Sequence, residues 1–416
     1  MNARAAALLG EGFAEVSVLK IALVVMNGDY ASAVKPRSGS QNQEVLGLAG
    51  AMASRGHQVT VYARRSSRRQ PGAVTLDSGV IIRCLPAGTP SRLPAGQPGQ
   101  DIRPFADALA ATWRRDRPDV AHAWFWTSGL AALAVARDHY VPVVQTFSSL
   151  GAAEHRHHLP EHGPAGRIRL EASIARTVSA VLARSSEETA ELATLGVPRG
   201  VVHVVPCGVD TRRFTPGGPA ARRGKLLRLL VSSPLEPGQG IDTAIRALAQ
   251  VPGAELVIVG GPRRRQLREL GYHQTLAALA ASTGVADRVT FTGGMPDADL
   301  PAWIRSADLV ISPAGYEPFG ITTVRAMACG IPVIASSVGA NRDAVIDGTT
   351  GVLVPANRPA LLAQEIRELL AAPVRRGAYG AAGADRASSR YSWERISQET
   401  LTAYEHSAQV CGLEGG

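Results

Sequence analysis

At 416 residues the chain is long enough for two large domains, and a composition of 45% hydrophobic and 19% charged residues is that of a globular protein. Its net charge of +9 rests almost wholly on arginine, since Lys20, Lys35 and Lys225 are the only lysines, so a solvated basic surface and an anionic ligand or membrane surface both fit and nucleic acid is not expected. No run of 18 apolar residues predicts a transmembrane helix, and Cys84, Cys207, Cys329 and Cys411, without C-x-x-C spacing, predict neither a disulfide framework nor a zinc site and fit a reducing cytoplasm.

Residues 1–17 read as an N-terminal extension, because Glu11 and Glu15 closely follow the apolar start and argue against a signal peptide. Strand-like segments follow at 19–26, 58–64, 80–84, 119–124, 141–147 and 179–184, most of them separated by helical stretches such as 41–55. A Pro-, Gly- and Arg-rich break at 204–225 predicts a linker. The rhythm restarts at 226–233 and continues at 254–261, 288–293, 307–313, 331–336 and 350–355, with a helix over 240–250. This β-α-β alternation predicts an α/β fold of two Rossmann-like halves with a cleft between them, and ligands at the carboxyl ends of the strands.

Several motifs carry a bland reading beside a chemical one. No G-x-G-x-x-G follows the first strand, which removes the best evidence for a dinucleotide enzyme. The "DAD" at 297–299 matches a metal-binding pair, but Asp297 capping a helix and Asp299 at its positive end explain it more simply. The histidines of "EHRHHLPEH" (154–162) fit an exposed loop better than a metal site. "GSQN" (39–42) leads a glycine-bearing loop into a helix, where free amides can meet an anion or a sugar hydroxyl, or form a plain turn.

The motifs "GSQN", "RGHQVTVYARR" (55–65), "PDVAHAWFWTSGLAAL" (118–133), "VVPCGVDTRRFTP" (204–216), "YEPFGITTVRAMACGIPVIAS" (316–336), "DGTTGVLVP" (347–355) and "RYSWERISQETLTAY" (390–404) occur in order along the chain. On these the chain resembles the family 4 retaining glycosyltransferases of GT-B fold, in particular the actinobacterial inositol-phosphate N-acetylglucosaminyltransferases of mycothiol synthesis and sucrose-synthase-like relatives. The resemblance implies an acceptor-binding domain over 18–205, a linker at 206–225, a nucleotide-sugar domain over 226–389 and a helix over 390–416 returning to the first domain. It implies a hexosyltransferase-type enzyme of the cytoplasm, needing no metal or cofactor, that moves a sugar from a UDP- or GDP-linked donor to a small-molecule acceptor, with a role in specialised metabolism and a homodimer left open. The departing diphosphate would take the acceptor's proton, and the protein would position both partners.

Carried over residue by residue, the resemblance implies Glu317, Ser148 and His122 as catalytic candidates. The donor would be held by Ser233, Gln239, Gly294, Met295, Phe319, Gly320, Ile321, Thr322 and Arg325, with the amides at the start of the 320s helix toward phosphate. Gly39, Ser40, Asn42, Glu154 and Arg156 would hold the acceptor. His122 reads equally as a packed strand residue.

The chain departs from the family at four positions: Pro234 and Gln239 replace the diphosphate-binding arginine and lysine, Ser148 replaces a histidine, and Arg325 replaces the second glutamate of E-x7-E. Each lost charged hydrogen bond is worth roughly 1.5–3 kcal/mol. Arg325 is expected to compensate from the Thr322 face, or else to pack along an unused cleft. Glu154 argues for a neutral or cationic acceptor. The rival reading is a catalytically silent homologue that binds a sugar, a nucleotide or a partner; a phosphorylase would need a lysine for pyridoxal phosphate, which three lysines make improbable.

Overall fold

Strands that are apolar on both faces need cover on both sides, and here two parallel sheets receive it. The computed structural model describes residues 18–26, 40–88, 99, 101–157 and 163–413, without the side chains of Ser40, Gln41 and residues 408–413. The extension 1–17 and the acceptor candidate Gly39 lie outside the described residues.

The first sheet holds β1 (Lys20–Val25), β2 (Gln58–Arg64), β3 (Ala73–Thr75), β4 (Ile81–Leu85), β5 (Val120–Trp124), β6 (Val143–Thr146), β7 (Ala180–Ala183) and β8 (Val202–Val204). Their order is β3-β4-β2-β1-β5-β6-β7-β8, parallel except for the β3–β4 pair. Helices α1 (Ser40–Ser54), α2 (Ile102–Trp113), α3 (Trp126–His139), α4 (Gly151–Arg156), α5 (Arg167–Thr177) and α6 (Ser186–Thr194) connect the strands. The second sheet holds β9 (Leu227–Ser232), β10 (Ala254–Val259), β11 (Val289–Gly293), β12 (Leu309–Ser312), β13 (Val333–Ser336) and β14 (Gly351–Val354), in the order β11-β10-β9-β12-β13-β14. With it come α7 (Ile241–Leu248), α8 (Gly271–Ser282), α9 (Leu300–Arg305), α10 (Ile321–Ala328), α11 (Asn341–Ala344), α12 (Pro359–Leu370) and α13 (Pro373–Tyr391), and then α14 (Trp393–Leu413).

The side-chain period of two sorts each strand between two cores. In β1, Ala22 and Val24 join Phe105 of α2, while Ile21, Leu23 and Val25 face the opposite layer. That opposite layer contains Ile396, Leu401 and Tyr404 of α14, so the last helix is built into the core of the first sheet. In β9, Leu229 and Val231 pack toward α7 and α12, and Leu230 toward α10. Three-residue β3 and β8 were not expected, because strands that short carry no readable period.

The chain crosses between the domains twice at one place. The Val209 amide donates to the Tyr391 carbonyl at 2.8 Å, and Val209 bridges Ser392, whose extended backbone separates α13 from α14. The Trp393 indole then wedges between Gly47 of α1 and Gly208 of the linker, where a Cβ on either glycine would overlap the ring.

Candidate active site in the interdomain cleft

In the second sheet the chain reverses winding direction between β9 and β12, and the crevice at their carboxyl ends is where such sheets take ligands. The turn after β9 is drawn tight there. Gly240 adopts φ 69° against the Pro313 carbonyl, so any side chain at 240 would collide with backbone. Ser233 Oγ donates to Gln239 Oε1 at 3.1 Å, so these two donor candidates hold each other. Thr322 Oγ1 donates to the Ser232 carbonyl at 2.7 Å and fixes the start of α10 over the crevice.

Glu317 organises that helix start. Its Oε1 accepts the amides of Phe319 (3.2 Å) and Gly320 (3.0 Å). Those two amides, expected to face phosphate, are therefore already taken; the carboxylate is the better-placed acceptor. The amides of Ile321, Thr322 and Thr323 have no acceptor among the described residues, as the first turn of a helix requires. Burial pushes the Glu317 carboxyl above its usual range, against the pull of the two amides. Gly294 donates its amide to the Pro262 carbonyl at 2.8 Å, and Met295 is half-buried on the cluster containing Phe214. Beyond β10, Arg263, Arg264 and Arg265 are exposed.

Across the cleft, two non-glycine residues at adjacent strand ends have positive φ: Phe125 after β5 (φ 71°, ψ 155°) and Ser148 after β6 (φ 66°). Such conformations cost about 1–3 kcal/mol each and concentrate at functional sites. Ser148 is only 8% exposed, and its hydroxyl has no partner among the described residues. Asn42 lies half-buried in the first turn of α1, which Ser40 opens.

His122 takes the packed one of its two readings, and Glu154 and Arg156 are placed otherwise than expected. His122 is fully buried, with Nδ1 2.7 Å from Tyr404 Oη and Nε2 2.8 Å from Thr146 Oγ1. Burial, helped by Arg184, holds its pKa well below the usual histidine value, so it is a neutral packing residue between β5 and α14. Glu154 accepts from Ser149 Oγ at 2.6 Å and from Arg167 Nη1 at 2.8 Å, and Arg167 also binds Glu171 and the Ser149 carbonyl. It therefore lies inside a buried network in which the one Arg167 guanidinium is shared between two carboxylates, Glu154 and Glu171. Arg156 is held by Glu191 of α6.

Arg325 also departs from expectation. Its guanidinium lies 4.9 Å from the centre of the Phe214 ring, donates to Gln43 Oε1 of α1 at 2.7 Å and sits 3.7 Å from Asp297. Asp297 in turn pairs with Arg213 at 2.6 Å, while Asp299 occupies the α9 cap without a side-chain bond. Arg325 is long enough to pass the crevice and become a strut between the domains. We expect Arg325→Ala to lower unfolding stability by about 1.5–3 kcal/mol, read by urea titration, since it removes a charged partner from two groups.

The sequence reading missed the other cross-cleft contacts. Ser186 donates its amide and its hydroxyl to Asp343, each at 2.6 Å, and the Gly339 amide donates to Glu187 at 2.7 Å. His157 stacks on Tyr316 (centroids 4.7 Å, 23°) and reaches Glu187 at 3.1 Å. Gly339 adopts φ 52° against the Glu317 backbone, and Ala340 donates its amide to the Glu317 carbonyl. The loop that shapes the α10 mouth is therefore the loop the first domain grips. Only "EHRHHLPEH" signalled any of this, through His157. Among the described residues no cluster of His, Cys, Asp or Glu could hold a metal, and no helix is long and apolar enough to cross a membrane.

Two Rossmann-like sheets facing each other across a cleft, joined by one linker and a returning helix, define the GT-B class of glycosyltransferases. Residues 42–213 match the model described as Glycosyltransferase Family 4, and residues 220–386 that of Glycosyl transferases group 1. A D-inositol 3-phosphate glycosyltransferase of Xylanimonas cellulosilytica is 35% identical over 390 residues, 88% of this chain and 91% of its own. One from Catenulispora acidiphila is 31% identical over 420 residues, covering 97% and 96%. The solved sucrose-phosphate synthase of Thermosynechococcus elongatus superposes with a TM-score of 0.83 at 26% identity, over 94% of this chain and 99% of that one. The chain belongs to glycosyltransferase family 4 and is a glycosyltransferase.

Proposed function

We propose that this enzyme is a retaining glycosyltransferase whose second domain holds a UDP- or GDP-sugar and whose first domain holds a small acceptor. The α10 mouth carries this reading: three helix amides without acceptors among the described residues stand at the β9/β12 crevice, in a segment the other domain touches at Tyr316 and Gly339. Helix amides with the helix dipole behind them suit the diphosphate of a leaving nucleotide. The acceptor oxygen attacks the anomeric carbon on the face the diphosphate leaves, and its proton passes to the departing phosphate oxygen. The relatives named D-inositol 3-phosphate glycosyltransferases make an inositol phosphate the first acceptor to test.

Thermal-shift titration against UDP-, GDP-, ADP- and dTDP-sugars tests the donor half. A ligand at 100 times its Kd should add about 2.7 kcal/mol of stability. A flat response to all four sinks the reading in favour of a catalytically silent homologue, which has one observation on its side: Pro234 and Gln239 supply no charge, and Arg325 is committed elsewhere. Proton NMR of the product distinguishes retention from inversion at the anomeric carbon.

Ser148 is the first-domain test. With its buried hydroxyl unpartnered among the described residues, Ser148→Ala should reduce turnover about tenfold, the scale of one lost hydrogen bond. Ser148→Gly should lose turnover equally yet gain about 1 kcal/mol of stability, because glycine tolerates φ 66°. Unchanged turnover in both would place residue 148 outside the chemistry.

A further inference from the structure

A second cavity, of about 420 Å³, opens between the domains on the side of their crossing. The first domain lines it with Arg184, Ser186, Val204 and Pro206, and the second with Arg342, Asp343, Val345 and Ile346 and, from α13, Arg386, Arg390 and Tyr391. None of these is among the residues proposed for the donor or the acceptor. The volume lies in the ~300–1,000 Å³ range of small-molecule sites.

Its chemistry is sharply divided. Four guanidinium groups face one lining carboxylate, that of Asp343, which Ser186 already occupies. Arg184 is balanced by Glu44 and Arg390 by Glu399. Arg386 uses Nε and Nη2 on the carbonyls of Ala344 (2.8 Å) and Asp343 (2.7 Å), which fixes the guanidinium without neutralising it. Arg342 is exposed, and its side chain makes no hydrogen bond or ion pair among the described residues. The same cavity is lined by two apolar side chains that water does not favour: Val204 is 42% exposed and Ile346 45% exposed, one on each domain. Few large apolar side chains among the described residues are so exposed, and two of them share this cavity.

One fixed and one free guanidinium beside an apolar lip fit an anion that carries a carbon frame. We propose that this cavity is a second binding site, for a small phosphorylated metabolite, with the phosphoryl group on Arg342 and Arg386 and the carbon frame against Val204 and Ile346. Because both domains line it, its ligand ties the Ser186–Asp343 side of the cleft shut.

Calorimetric titration of the whole chain with ribose 5-phosphate and with inorganic phosphate tests this. Wild type should bind ribose 5-phosphate more tightly than phosphate. Arg342→Ala, which removes an exposed and unpaired side chain, should weaken both about tenfold. Ile346→Ala should weaken only the sugar phosphate, about fourfold. Arg115→Ala, an exposed arginine just past α2, should change neither. Saturating UDP should not compete, which keeps this result separate from the donor site. No binding by wild type, equal loss in Arg115→Ala, competition by UDP, or full affinity in Arg342→Ala would each overturn the assignment. Equal affinity for the two probes, unmoved by Ile346→Ala, would overturn the role given to the apolar lip.

Discussion

Glu317→Gln is expected to lower kcat/KM by about 10²–10³, the range seen when one oriented group at a developing charge is removed. The carboxylate holds the Phe319 and Gly320 amides and so sets where the remaining amides of α10 point. Glutamine fills the same space and keeps an Oε1 that can accept both amides, so misfolding does not explain a loss; what it removes is the charge. Stability should in fact move the other way. Burial raises the folded-state pKa of Glu317 above its usual carboxylate range. Between the unfolded and the folded pKa the native state binds more protons, so this group's contribution to stability falls as pH rises through that window. At neutral pH the wild type carries the cost of a buried charge and the glutamine variant does not. Denaturant titration at pH 7 should find the variant at least as stable as wild type. The pH–rate profile should separate them further: wild-type kcat/KM should fall toward acid with an apparent pKa above that of an ordinary glutamate, and this limb should vanish in Glu317→Gln. Equal turnover in the two proteins would remove Glu317 from the site.

The turn into the helix after Glu317 was legible in the sequence because its pieces are local: a carboxylate, then Phe319, Gly320 and an amphipathic run. The strands were legible for a similar reason, since runs such as "KIALVV" need no distant information to be recognised as buried on both faces. What failed was whatever depends on partners far along the chain. "VAHAW" shows a histidine on a strand, but the group that closes on His122 is Tyr404, 282 positions away. Glu154 looked like a free charge until Arg167 came back to it from the next helix. Arg325 lies on the expected turn of α10, yet Phe214, from the linker, and Gln43, from the other domain, decide where its guanidinium ends. Helix periodicity gives a side chain's starting direction and not its partner, and a long arginine is the residue for which that difference is largest.

Trp393→Ala should destabilise the protein by about 3–5 kcal/mol, the usual cost of truncating a large packed aromatic. The indole is the first side chain of α14 and lies between Gly47 of α1 and Gly208 of the linker, two positions where no Cβ can be accommodated. Both glycines are small because the ring needs their space, so the cavity left by alanine is lined by backbone that cannot close it. The effect should reach beyond the local contact. From Trp393 the helix continues into the first domain's core through Ile396, Leu401 and Tyr404, and Tyr404 holds the His122 ring. Hydrogen exchange should therefore show lost protection in α14, α1 and β5 of the variant, with β9 and β12 close to wild type. Gly47→Val should produce the same pattern from the other side, by forcing the ring out instead of removing it. If Trp393→Ala loosens both sheets equally, α14 is not the latch of the first domain. If neither variant costs more than about 1 kcal/mol, the ring's fit between the two glycines adds no more than an ordinary surface contact.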